Sequence, residues 1–198
     1  MRLIDSTHRF NTQALAVIEL DGLARGARLV DDLLKAAHVH VLASEVYSGP
    51  RHIVVFSGDV EALNQAYEAG LAAGAARVVD VMLLPQPHND LLMALAGGFA
   101  SPAHPDDAIL LVETETIASA LRGVDAALKA VPVLLSTWRL GRGIGGRGLF
   151  ALRGEHANLE AAETVVLEAA GAGLRETQLI PRPDPLGLWA RPFGGDQP

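Results

Sequence analysis

The chain contains no cysteine among its 198 residues. That absence excludes a disulfide, a thiolate metal site, a cysteine nucleophile and a cysteine-ligated iron–sulfur cluster. Aromatic residues reach only 5%, so aliphatic and small side chains must fill the core. No apolar run approaches the roughly 20 residues a helix needs to cross a bilayer. The opening residues, Met1 to Phe10, lack the apolar stretch of a secretory signal. A soluble cytoplasmic protein with no membrane partner is therefore expected. Bases are outnumbered, and a net charge of −7 argues against nucleic-acid binding, which calls for a basic face. No Ser–His–Asp order or acidic pair stands out, so no catalytic residue is assigned and an enzyme is disfavoured.

What the chain does have is repetition. Its 49% hydrophobic content and 20 glycines suit one domain or two of about 95 residues each. The run from Ala14 to Glu19 (Ala-Leu-Ala-Val-Ile-Glu) returns from Ala108 to Glu113 (Ala-Ile-Leu-Leu-Val-Glu) at an offset of 94. Leu84-Pro85-Gln86-Pro87 returns as Ile180-Pro181-Arg182-Pro183 at an offset of 96. A repeat this long is a duplicated domain, not a solenoid unit of about 20–50 residues. The offset is still 94 at Lys35/Lys129 and Val39/Val133, and 96 from Gly49/Gly145 and Arg51/Arg147 onward. Two residues have been gained in the loop between the second and third strands. Here Tyr47-Ser48-Gly49-Pro50 faces Gly141-Arg142-Gly143-Ile144-Gly145-Gly146, and variation confined to one loop marks it as a carrier of specificity.

Within one copy, residues 14–20 read as a buried strand closed by Asp21-Gly22. Leu23, Ala27, Val30 and Leu34 then fall on one apolar helical stripe, matched by Ile117, Leu121, Val124 and Leu128. Two strands (39–46 and 51–57) flank the loop. Asp59 stands ready to cap a second helix carrying Leu63, Ala66, Gly70 and Ala73 on one side. A strand over 78–84 is stopped by Pro85 and Pro87, and 89–96 reads as a short closing helix. The second copy repeats the order, with Glu155 at the cap position. The expected fold class is α/β of the α+β kind: two tandem copies of a small antiparallel sheet with helices on one face. The boundaries are an N-terminal extension over 1–13, domains over 14–96 and 108–191, a linker over 97–107 and a tail over 192–198.

Several features carry these marks twice: Ile18-Glu19 and Val112-Glu113; Asp31…Lys35 and Asp125…Lys129; the glycine-containing loop; Gly58-Asp59 and Gly154-Glu155; Pro85-Gln86-Pro87 and Pro181-Arg182-Pro183. In this order and spacing both copies resemble the shell-protein domain of bacterial microcompartments, in its tandem, unpermuted form. The resemblance implies a non-enzymatic homotrimer forming a pseudohexameric tile in a shell within the bacterial cytoplasm. Its partners would be itself, other shell proteins (hexameric tiles and pentameric vertices) and small metabolites crossing a central pore. It implies that Tyr47, Ser48, Gly49 and Pro50, with Arg142, Gly143, Ile144, Gly145 and Gly146, line that pore. It places Lys35, Lys129 and Arg182 along the tile edge, with Gln86 departing from the family's arginine. Cluster-binding members use a pore cysteine, so no cofactor is implied here.

Other readings compete at particular residues. Gly141–Gly146 and Gly143–Gly148 fit G-x-G-x-x-G literally, but a dinucleotide site needs a helix directly afterwards, and the next run reads as a strand. Glycines that let backbones converge on an axis fit better, although a plain flexible hairpin loop fits too. Arg142 is either a solvated charge or part of a cationic ring favouring anions. Lys35 and Lys129 also suit helix C-termini, where the dipole favours a cation by about 0.3–1 kcal/mol. His38, His40, His52 and His88 are the only candidates for a metal, and scattered surface histidines fit better; no metal site is assigned. Trp138 and Trp189 read as packing residues. The alternative to the shell protein is a duplicated small-molecule binding or sensory module.

Overall fold

The structure is a computed structural model that describes residues 14–47, 49–99 and 107–184. The extension over 1–13, the segment 100–106, residues 185–198 and with them Ser48, His104 and Trp189 lie outside the described residues. The chain forms two compact units that divide between Gly97 and Gly98.

The first unit runs β1 (Ala14–Asp21), α1 (Leu23–Ala36), β2 (His40–Tyr47), β3 (Arg51–Gly58), α2 (Val60–Gly74), β4 (Val78–Pro85) and α3 (Asn89–Leu95). The second runs β5 (Ala108–Thr114), α4 (Ile117–Ala130), β6 (Leu134–Leu140), β7 (Gly148–Gly154), α5 (His156–Ala170) and β8 (Leu174–Ile180). Each sheet is antiparallel, in the orders β2-β3-β1-β4 and β6-β7-β5-β8. The duplication reaches down to irregularities. Register shifts fall between Val41 and Ala43 in one sheet and between Leu135 and Thr137 in the other. A second pair falls at Glu19/Leu20 and Glu113/Thr114. Such bulges kink and twist a strand, so each copy preserves the same local bend.

β1 opens with the apolar run Ala14 to Ile18 because both of its faces are covered, with every residue from Ala14 to Leu20, Glu19 included, buried. Ala14, Ala16, Ile18 and Leu20 pack with Val54 and Phe56 of β3 against Leu29 and Leu33 of α1 and Leu63 and Ala66 of α2. Gly70 lets α2 lie close to the sheet, since a Cβ there would stand 2.7 Å from Ile18 Cδ1. Gly74, not Ala73, completes the buried side of that helix. Asp59 caps α2, accepting from the Ala62 N–H at 2.9 Å, whereas Glu155 holds the equivalent place before α5 without a capping bond.

The α1 stripe requires correction. Leu23 and Leu34 are 45% and 49% exposed, and Ala27 lies on the same outer side. The face that α1 buries is Gly26, Leu29 and Leu33. The matching stripe of α4 is wholly buried, at Ile117, Leu121, Val124 and Leu128. One stripe in two equivalent helices thus meets opposite surroundings.

Candidate functional site

The two strand-joining loops are built differently. β2 ends at Tyr47, which is 4% exposed; Gly49 and Pro50 are exposed. Gly49 takes φ +85°, a conformation glycine adopts without a steric penalty, and a Cβ there would meet nothing within 4 Å.

In the second copy Gly141, Gly143, Gly145 and Gly146 all have positive φ, between 68° and 82°. The loop is closed on itself. Gly141 N–H donates to Arg147 O at 2.8 Å, Gly146 N–H to Gly141 O at 3.1 Å, and Arg147 N–H to Ile144 O at 3.3 Å. Among the described residues, the amides of Gly143 and Gly145 have no acceptor. Arg142, Gly143 and Gly145 are exposed, Ile144 is half-buried, and Gly146 is buried. Sequence reasoning missed Arg139, whose Nε donates to the Arg142 carbonyl at 3.2 Å and braces the loop from β6. Its position corresponds to Glu45 in the first copy, so the signal was a reversed charge beside the variable loop. β7 follows directly, without the helix that a dinucleotide site requires.

The four edge candidates divide into two pairs of unequal build. Lys35 and Lys129 close the last turns of α1 and α4, each held at 2.6 Å by the aspartate one turn earlier, Asp31 or Asp125. Asp31 is half exposed, whereas Asp125 is 4% exposed, so the second lysine is anchored to a fixed point. Gln86 and Arg182 are both exposed. Gln86 takes φ +50°, a strained state for a side-chain-bearing residue, while Arg182 keeps an ordinary backbone.

The histidines are spread over separate tasks. His52 Nε2 lies 2.8 Å from Ser44 Oγ, and His88 Nδ1 accepts from the Asp90 N–H ahead of α3. His38 and His40 meet edge to face at 5.6 Å. Trp138 is buried and packs edge to face with Phe99 at 5.7 Å.

Comparison with known proteins agrees with the repeated geometry. The family described as BMC domain matches twice, over 14–87 and 108–183. The bacterial microcompartment shell protein PduT of Citrobacter freundii is 32% identical over 174 residues, spanning 87% of this chain and 94% of that protein. PduA of Salmonella typhimurium, also a microcompartment shell protein, is 31% identical over 90 residues, which make up 96% of its length but 44% of this chain. Among solved structures, a microcompartment protein from Desulfitobacterium hafniense DCB superposes with a TM-score of 0.72 at 32% identity, covering 86% of this chain and 95% of that one. The chain belongs to the BMC-domain family of bacterial microcompartment shell proteins and carries that domain twice.

Proposed function

We propose that the chain is a non-enzymatic tile of a microcompartment shell in the bacterial cytoplasm, a homotrimer whose six domains close a ring around a central opening. The observation that carries this reading is the outer stripe of α1. Leu23, Ala27 and Leu34 leave apolar surface of α1 uncovered in the single chain, with Val30 half-buried against the core, while the counterparts Ile117, Leu121, Val124 and Leu128 of α4 are buried. A second copy of this chain is the occupant that fits, because apolar surface left bare on a helix of a shell protein calls for a protein partner. A contact between unlike surfaces closes into a ring when its rotation divides the circle evenly.

The opening is lined by Gly49 and Pro50 of one copy and by Arg142 to Gly146 of the other. Over the two matched spans the first copy has nine acids and five bases, the second eight of each. The second copy is thus balanced where the first has four more acids than bases, and at its loop Arg142, Arg139 and the unspent amides of Gly143 and Gly145 favour small anionic metabolites. Lys35, Lys129, Gln86 and Arg182 meet neighbouring shell proteins at the rim.

The test is solution mass. A trimer of the 20.8 kDa chain is expected, and Leu34→Glu is expected to give a folded monomer with unchanged circular dichroism. A wild-type monomer, or a trimer indifferent to Leu34→Glu, would overturn the ring. For the opening, Arg142→Glu should reverse anion preference in a flux assay on assembled shells or bilayers. Unchanged selectivity would remove the pore reading.

A further inference from the structure

A closed ring of four charges sits where the glycine-rich loop leaves the second sheet. Arg147, on the loop's far side, reaches Glu113 at 3.1 Å and Glu115 at 3.7 Å. Arg175 of β8 comes from the opposite flank of β5 and reaches the same two carboxylates, at 3.2 and 2.6 Å. The Glu115 hydrogen bond, followed by its charge, raises the Arg175 guanidinium further above its ordinary value, so it stays protonated at any working pH. The ring joins the residue just before β7 (Arg147), the end of β5 and the residue just after it (Glu113, Glu115) and β8 (Arg175), and two of the loop's closing bonds use the backbone of Arg147.

The first copy supplies the contrast. Arg51 stands 4.0 Å from Glu19, and Arg77 stands 3.9 Å from Asp21. Val79 occupies the place of Arg175. The ring is therefore not part of what the fold requires. It lies beside the longer loop, whose run of glycines gives the backbone little stiffness of its own.

We propose that Arg175 is a positioning residue for the loop over 141–147, acting through Glu113 and Glu115 to fix Arg147 and hence the loop's shape. The inference rests on the reading that this loop must keep a defined shape at an opening. Charged side chains suit that task here, because each guanidinium fork engages two acceptors at once and so fixes direction as well as distance.

The experiment is hydrogen exchange on the full-chain protein, followed by mass spectrometry in peptides covering 141–147. Arg175→Val installs the first copy's own residue, a good strand former, so β8 is expected to persist. Exchange of the bonded amides of Gly141, Ile144, Gly146 and Arg147 should rise about three- to tenfold, the scale set by losing partly exposed ion pairs. Peptides from β1 and β3 should not change. In 1 M salt, where screening acts over roughly 3 Å, the wild-type loop should approach the variant, and the variant should barely move. Equal exchange in wild type and variant would overturn the proposal. So would a difference that salt leaves intact, because packing would then be its cause. If Arg142→Glu leaves selectivity untouched while Arg175→Val still loosens the loop, the pore reading fails alone. If Arg142→Glu reverses selectivity and exchange stays equal, the positioning role fails alone.

Discussion

Gly26 and His52 share one volume between helix and sheet. A Cβ on Gly26 would fall on His52 Nδ1. The equivalent pair in the second copy is Ala120 and Gly148, and there a Cβ on Gly148 would strike that of Ala120. The larger partner has moved from strand to helix. A second exchange involves Leu29 and Gly70, whose counterparts are Gly123 and Val166. Here a Cβ on Gly123 would meet Phe150 Cζ and Val166 Cγ1 at 3.4 Å. Each copy fills the same space with the bulk on opposite elements, as close-packed interiors demand. Gly26→Ala should therefore destabilise the first unit by about 1–3 kcal/mol, the usual range for overpacking. Adding His52→Ala should restore at least about 1 kcal/mol of that loss, a coupling typical of touching residues. The check is denaturant unfolding of both variants, and simple additivity would contradict the shared-volume account. None of this could be read from the sequence, because the partners lie 26 residues apart and only the fold brings them together.

At the scale of elements, the regular strands were legible and the face of α1 was not. β1 and β5 announce themselves as apolar runs closed by polar turns, and β4 and β8 by the prolines that end them. α1 offers two rows, and hydropathy favours Leu23, Ala27, Val30 and Leu34 because glycine counts for little on that scale. The structure buries the row containing Gly26, where closeness of approach matters more than side-chain bulk. Helix ends show a similar division of labour. Arg25 donates to the Ala73 carbonyl near the end of α2, and Arg122 to the equivalent Ala169 carbonyl of α5. The two arginines come from helix positions one turn apart, so the contact is kept while its residue changes. The N-termini differ more sharply. Asp59→Ala should cost about 1 kcal/mol through a lost cap, whereas Glu155→Ala should stay within about 0.5 kcal/mol of wild type. Thermal denaturation of the two single variants compares them directly, and an equal loss would show that Glu155 contributes as a cap after all.

For the whole molecule, the proposed rim can be tested separately from the proposed trimer. Lys129 is tethered to a buried carboxylate, and Arg182 has no counterpart charge at Gln86. Lys129→Ala combined with Arg182→Ala should leave trimers intact in solution yet abolish extended sheets in negative-stain images. Lys35→Ala with Gln86→Ala, at the less anchored positions, should impair sheets less. Sheets unaffected by the first pair would remove those residues from the rim. The lysines were legible in the sequence through their aspartates one turn earlier, and the loops through the changed offset. The charge ring was not, since Arg175 lies in a different strand from the loop it adjoins and has valine as its counterpart.

The exchanged volumes also bear on how such a gene can change. Two stretches of similar sequence in one reading frame invite unequal recombination, which would paste part of one half into the other. A crossover that carried the α4 residues into the first half would place an alanine against His52, and the reverse would leave a hole beside Gly148. Such hybrids should be less stable than either parent half, through overpacking in one and a cavity in the other. The halves have therefore become non-interchangeable parts, and each is free to diverge at its loop and rim without being overwritten by its sibling.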